Sequence, residues 1–366
     1  MKARLCLCGA VLLLATLPAA GEVSGWAAGT QTERATPKVK RKSTSVPATP
    51  EAKKSLKGTL GPSTSGATTS GAGTEDKGDD GAAKGDDAAY MAFDQGQYLT
   101  ALKLAEAAAK RGDAAAHTLI GRIYAEGLGG GRDEALAAKW YQRAAELGDV
   151  NATFALGLFH AEGRGIEKDR VKSAELFEKA ARTGHPLANY NLGMLFLRGD
   201  GKPENPYRAA QHIAYAASKG IAQAQYDLAT MYQGGIGLPN DAVQASKWMR
   251  KAADQGFAAA QYDYAVTLLR GLGLTSDEPK AIGYMRAAAE KGIPGAQNRM
   301  AHIYREGIGV EKSSIQAAKW RLIARDNGFE DKAMDDMIAG LSHADRLAAE
   351  KAAVEWQNAR MMSLGQ

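Results

Sequence analysis

Glycine recurs along this chain every 36 residues without slippage: Gly112, Gly148, Gly184, Gly220, Gly256, Gly292 and Gly328 stand in one phase. A second series with the same period, Gly127, Gly163, Gly199, Gly235, Gly271 and Gly307, is followed two residues later by Gly129, Gly165, Gly201, Gly237, Gly273 and Gly309. A period of this size marks stacked supersecondary units, each burying its apolar face against its neighbours. Length alone, 366 residues, would allow two domains, but the continuity of the repeat overrules that division. Function is then to be sought in recognition surfaces before active-site chemistry.

Within each unit the small and large apolar residues fall at the 3.6-residue spacing of an amphipathic helix, and they do so twice, which predicts a helical hairpin. The first helix carries a small residue at Ala116, Ala152, Ala188, Ala224, Ala260 and Ala296, then a large one at Ile120, Leu156, Leu192, Leu228, Tyr264 and Met300. The next residue is always tiny: Gly121, Gly157, Gly193, Ala229, Ala265 and Ala301. Glycine inside a helix costs roughly 1 kcal/mol relative to alanine, so its recurrence predicts the close approach of another helix. The paired glycines end the first helix, because a residue without Cβ takes the left-handed conformation that satisfies the last carbonyls. Asp133, Asp169, Asn205, Asp241, Asp277 and Ser313 then recur ahead of the second helix, all side chains that accept from first-turn amides. That helix carries Trp140, Leu176, His212, Trp248, Tyr284 and Trp320 at one position, with small pairs from Ala144-Ala145 to Ala288-Ala289 beyond it. Small residues beside large rings suit interdigitated helix layers.

The string Ala-x-x-x-Leu-Gly-x-x-Tyr-x-x-Gly-x-Gly, then Asp, then Ala-x-x-Trp-Tyr-x-x-Ala-Ala-x-x-Gly resembles the Sel-one-like repeat (SLR), a relative of the tetratricopeptide repeat. Six units in register, residues 113–328, carry it. His212 in place of the aromatic, and Ser246 and Ile282 in place of alanine, are departures that touch local packing. The resemblance implies an all-α fold, an α/α solenoid forming a right-handed superhelix of helix-turn-helix repeats.

Residues 88–112 read as a degenerate N-terminal capping hairpin with Tyr90, Phe93, Tyr98, Leu102 and Leu104 as its apolar set. Residues 329–366 read as C-terminal capping helices, with Ser342 and Asp345 at a helix start and Leu347, Val354, Trp356 and Met361 on an apolar face. Terminal units of such arrays are atypical because one face meets water. At the N-terminus, Lys2 and Arg4, an apolar run from Leu5 to Leu17, and Pro18-Ala19-Ala20 have the layout of a signal peptide over residues 1–20. Cleavage near Ala19 or Ala20 implies export, periplasmic in a Gram-negative cell; an uncleaved leader would act as an anchor, although the run is short for a span. The only cysteines, Cys6 and Cys8, lie in this leader, which leaves the mature chain without thiol chemistry. Residues 21–87 are rich in Thr, Ser, Pro, Ala, Gly and charge and cannot supply a core, so a disordered linker is expected. Its basic first part, from Arg34 to Lys57, leaves open a weak contact with an anionic membrane or polymer.

A formal net charge of +5 is too small to imply nucleic acid, and no recognition helix or stacking platform accompanies it. The Gly-x-Gly pairs join two helices, whereas phosphate-cradling loops follow a strand, so no nucleotide cofactor is expected. His117, His160, His185, His212, His302 and His343 fall at different repeat positions without partner cysteines, and no metal is expected. His212 reads as a packed core residue. No Gly-x-Ser-x-Gly or Ser-x-x-Lys string marks an activated serine. Carboxylate pairs such as Glu175 and Glu178 lie on a helix surface with nothing to set their pKa values apart. The chain is therefore expected not to be an enzyme and to carry no cofactor.

The first helices are expected to line a concave face. Tetratricopeptide groove positions, carried over by the resemblance, give a first row of Thr118, Phe154, Tyr190, Tyr226, Tyr262 and Asn298 and a second of Arg122, Leu158, Met194, Thr230, Val266 and His302. The rows are four residues apart and share one face. The candidate partner-binding residues are Phe154, Tyr190, Tyr226, Tyr262, Arg122, Met194, Thr230 and His302. An aromatic ladder suits peptide capture, yet the same rings could pack between repeats, and the sequence leaves both open. The functional expectation is a monomeric exported scaffold holding a peptide or protein partner in the envelope. The resemblance also implies adaptor roles in signalling or exopolysaccharide regulation. The alternatives are a hydrolase acting on cell-wall peptide or polysaccharide, marked by polar groups converging in a closed pocket, and a structural envelope protein self-associating through its caps.

Overall fold

The computed structural model describes residues 81–364. The expected leader, and the expected linker up to residue 80, lie outside the described residues. α1 (Gly81–Asp94) begins within the span 21–87 where a linker is expected; Ala82, Ala83, Ala88 and Ala89 are strong helix formers that carry the helix upstream. With α2 (Tyr98–Ala109) it forms the N-terminal hairpin, whose core is made by Ala89, Phe93, Ala101, Ala105 and Ala108 while Tyr90 and Leu104 stay exposed.

The repeat region is a run of hairpins. Its first helices are α3 (Ala114–Glu126), α5 (Val150–Glu162), α7 (Pro186–Arg198), α9 (Ala222–Gly234), α11 (Ala258–Arg270) and α13 (Pro294–Glu306). Its second helices are α4 (Glu134–Glu146), α6 (Arg170–Arg182), α8 (Pro206–Ser218), α10 (Ala242–Asp254), α12 (Glu278–Glu290) and α14 (Ser314–Asp326). Two helices follow, α15 (Lys332–Ala339) and α16 (His343–Leu364). Each helix of the repeat region packs on the ones before and after it in the chain, and α14 is also covered by α16.

The sequence signals act as physical stops and starts. Gly199 ends α7 in the left-handed region, φ +64, and its amide donates to Leu195 O. Asn205 then accepts from the Arg208 amide and starts α8. The glycine two residues on serves another purpose. Gly165 and Gly237 lie so close to the Glu134–Ala135 and Pro206–Tyr207 peptides of the preceding repeat that a Cβ would collide with backbone. One glycine row therefore ends a helix and the other docks a repeat on its neighbour.

The tiny helical residue is explained by its partner on the second helix. A Cβ on Gly121, Gly157 or Gly193 would come within 2.8 Å of Tyr141, 2.7 Å of Phe177 or 2.7 Å of Ile213. In the next two repeats the second helix offers the flexible Met249 or Met285, and the first helix carries Ala229 or Ala265. Rings and branched chains need glycine; methionine yields enough for alanine.

A buried polar row also recurs at the repeat period. Asn189 Nδ2 donates to Ala181 O at 3.2 Å, and the side-chain amides of Gln225, Gln261 and Gln297 donate to Ala217 O, Ala253 O and Ala289 O at 3.1, 3.3 and 3.1 Å. Each stitches a first helix to the last-turn carbonyls of the second helix before it, groups that a helix cannot satisfy within itself. The first helices start in two ways: Asp113, Asp149 and His185 accept from first-turn amides, whereas Ile221, Phe257 and Ile293 at the same position make no side-chain cap and pack instead.

In the last hairpin the pattern changes at Arg321, which is 0% exposed where earlier repeats carry Tyr, Phe, Ile or Met. Its guanidinium donates to both oxygens of Asp335 at 2.8 Å, to Asn298 Oδ1 at 3.1 Å and to Phe329 O at 2.8 Å, fastening α15 over the sixth repeat. Ser342 and Asp345 form the expected helix start of α16: the Asp345 amide donates to Ser342 Oγ and that hydroxyl donates back to Asp345.

Candidate recognition face on the first helices

The fifth residue of each first helix is Thr118, Phe154, Tyr190, Tyr226, Tyr262 or Asn298, and the ninth is Arg122, Leu158, Met194, Thr230, Val266 or His302. The aromatic members are held between repeats. Phe154 stacks on His185 with ring centroids 4.6 Å apart, and Tyr226 lies 5.3 Å from Phe257. Both partners precede the next first helix, so each ring covers the start of the following repeat. Tyr190 is 7% exposed, and its hydroxyl donates to Asp227 Oδ2 of the next repeat at 2.9 Å. Tyr226 repeats this with Asp263 Oδ2 at 2.8 Å. The Tyr262 hydroxyl instead stands beside Gly295, whose lack of a side chain leaves it room. The ladder considered for partner capture is thus inter-repeat packing first, and at Tyr190 the ring has almost no surface left for a partner. Rigid rings beside apolar or stacking neighbours gain more from burial than from water.

The second row differs along its length. At one end the Arg122 guanidinium sits 4.6 Å from the Phe93 ring centroid and donates to Glu126 at 2.8 Å. At the other end His302 Nε2 and Asp331 Oδ2 are 2.7 Å apart, and Asn298 donates to the same oxygen at 2.8 Å. Burial disfavours the charge on Asp331, but the hydrogen bonds from Asn298, His302 and the Met334 amide outweigh it and hold the carboxyl at about 2. Both ends of the row are therefore engaged with the flanking hairpin and cap. Between them Leu158, Met194, Thr230 and Val266 are half-buried and cross four consecutive repeats.

Beside this strip stand two carboxylates that sequence reasoning passed over. Asp227 accepts from Tyr190 and from Gln223 Nε2 at 3.1 Å; Asp263 accepts from Tyr226, and among the described residues its Oδ1 receives no hydrogen bond. Burial raises both carboxyls above their ordinary value, against the lowering effect of the tyrosine hydroxyls. The tyrosine hydroxyls are pushed up in turn, first by burial and then by the adjacent carboxylates. The signal that could have found them was the Tyr-Asp pair recurring as Tyr226-Asp227 and Tyr262-Asp263. The arrangement offers apolar contact with acceptors alongside, suited to an extended segment bearing amide or cationic donors.

Two recesses are also present, and some of their polar groups are already engaged. One, about 550 Å³, is lined by Arg286, Tyr304 and Ser313, and Ser313 caps α14. The other, about 430 Å³, includes Asp331 and Asp335, which are bound by His302 and Arg321. His212, expected in the core, stacks on Phe196 at 5.8 Å and its Nδ1 lies 2.9 Å from Asn189 Oδ1. Among the described residues no three His, Cys, Asp or Glu side chains gather to hold a metal ion, and no helix is long and apolar enough to cross a membrane.

Comparison with known proteins follows the same periodicity. The Sel1 repeat family model matches residues 114–149, 150–185, 186–221, 222–257, 258–293 and 294–329. Among solved structures, a Sel1 repeat protein from Oxalobacter formigenes is 28% identical, with a TM-score of 0.58 over 65% of this chain and 98% of that one. A protective antigen of uropathogenic Escherichia coli displaying an SLR fold is 26% identical, with a TM-score of 0.50 over 77% of this chain and 71% of that one. No curated protein gives a significant match.

Proposed function

Because the chain belongs to the Sel1 repeat family, whose members are generally protein-interaction scaffolds, we propose that it is an exported adaptor that holds an extended segment of a protein partner across its first helices. The observation that carries this reading is the half-buried strip of Leu158, Met194, Thr230 and Val266, unbroken over four repeats and flanked by Asp227 and Asp263. Apolar surface shared among several repeats gives contact area without a pocket, and acceptors at one side fix the register of a bound chain. The leader and the charged, low-complexity segment after it support a role in the cell envelope, where a tether raises encounter rate through effective concentration. An adaptor of this kind suits envelope signalling or exopolysaccharide regulation.

The test is retention of a partner from envelope extract by the full chain and by the variant Met194→Arg/Val266→Arg. Both side chains are partly exposed, so the variant is expected to keep the helical signal of the parent and to lose the partner. Equal retention by parent and variant would remove the strip from the binding site.

A further inference from the structure

The terminal helix α16 has two unlike faces. Ala349 and Ala353 are buried, Trp356 packs edge-to-face on Trp320 at 5.5 Å, and Gln357 donates to Asp326 at 3.1 Å, so this face is closed against α14. Leu347, Val354 and Met361 recur at seven-residue intervals and are 58%, 53% and 65% exposed. At about 100° per residue they share one arc, roughly 120° round the helix from Ala349 and Ala353, and nothing among the described residues covers it. Apolar side chains seven residues apart supply one of the two rows of a helix–helix seam, with Glu350 and Lys351, then Gln357 and Asn358, standing between them here.

The charges beside the stripe say what fits it. Lys351 and Glu355 lie on one flank, 77% and 67% exposed, and their own contact within the helix is long, 4.0 Å. If a second α16 lies antiparallel with the two-fold axis at Val354, Val354 meets its own copy and Leu347 meets Met361 of the other chain. The same operation brings each Lys351 beside the Glu355 of the other copy. An isologous contact must be self-complementary in this way. We infer that the outer face of α16 is a self-association surface, pairing two copies of this chain antiparallel about Val354. One helix face is a small interface, so the dimer is weak and forms as concentration rises. The inference stands apart from the first-helix strip, since neither Met194 nor Val266 takes part in it.

The experiment is sedimentation equilibrium of the full chain over a concentration series at low salt. The parent is expected to pass from the mass of one chain to that of two. Val354→Arg, at an exposed position that tolerates the change, should remain a single chain with an unaltered melting temperature. Lys351→Glu sets like charges against each other twice by symmetry and should weaken association by about fivefold or more. The double exchange Lys351→Glu/Glu355→Lys restores both pairs and should recover the parent's association. A parent that stays a single chain throughout would overturn the inference and leave the stripe to another occupant. Association that survives Val354→Arg would move the contact elsewhere, and a double exchange no better than the single would reject the antiparallel register.

Discussion

Gly220 and Gly237 share a backbone conformation and differ in what surrounds them. Both have positive φ, +90 and +67, but Gly220 has nothing within 4 Å of an added Cβ, whereas Gly237 lies against the Pro206 carbonyl. Gly220→Val therefore isolates the cost of a branched side chain in the left-handed region, about 1–3 kcal/mol. Gly237→Ala adds a collision with backbone that cannot yield and should cost more, both read from chemical denaturation midpoints. Histidine gives a second test at this scale. Burial lowers the pKa of His160, His185 and His212, and His185 Nδ1 must be unprotonated to accept from the Ala188 amide at 3.0 Å. The contribution of these groups is full above the unfolded value of about 6.5 and is lost as pH falls through the depressed folded values. Asp227 and Asp263, raised by burial, act in the opposite sense, favouring the fold below the ordinary carboxylate range and less as pH rises through their folded values. The informative quantity is thus the difference from His185→Asn, which keeps a capping acceptor without the titration: its melting temperature should fall less than the parent's between about pH 7 and 5. Equal slopes would show that the His185 cap is not linked to protonation.

At the scale of the helix, most boundaries were legible because local chemistry sets them: glycine stops the first helices and Asp, Asn or Ser starts the second ones; the uncapped starts at Ile221, Phe257 and Ile293 were not. The stitching row was not, although Asn189, Gln225, Gln261 and Gln297 recur in phase, since a glutamine in a helix looks like a solvated one until its neighbour is placed. The capping Arg321 was hidden for the same reason: its carboxylate partner Asp335 belongs to α15, outside the repeat. Its energetics are asymmetric. Asp335→Ala leaves a fully buried guanidinium without its carboxylate and is expected to cost on the order of 3 kcal/mol. Arg321→Met, which installs the residue found at this position in the fourth and fifth repeats, should cost less, because Asp335 is partly exposed and can be solvated. Thermal unfolding of the two variants decides this; equal or reversed losses would mean that the arginine is held by packing and not by its pairing.

In the whole molecule each hairpin of the array packs mainly on its chain neighbours, so the fold was readable from a period alone, while the use of its faces was not. An aromatic row at 36-residue intervals reads equally as ladder or mortar, and only the hydrogen bonds from Tyr190 and Tyr226 to the next repeat, with the stacking of Phe154 on His185, separate the two. The division of labour proposed above, rings joining repeats and the strip beside them meeting a partner, is tested most directly by measuring melting temperature and partner retention together in two double variants of the full chain. Tyr190→Ala/Tyr226→Ala should lower the melting temperature and lose the partner in parallel, whereas Met194→Arg/Val266→Arg should lose the partner with a smaller fall in melting temperature, since Val266 packs only in part against the core. A tyrosine variant as stable as the parent but unable to bind, beside an arginine variant that binds normally, would contradict the assignment and return the rings to the binding surface.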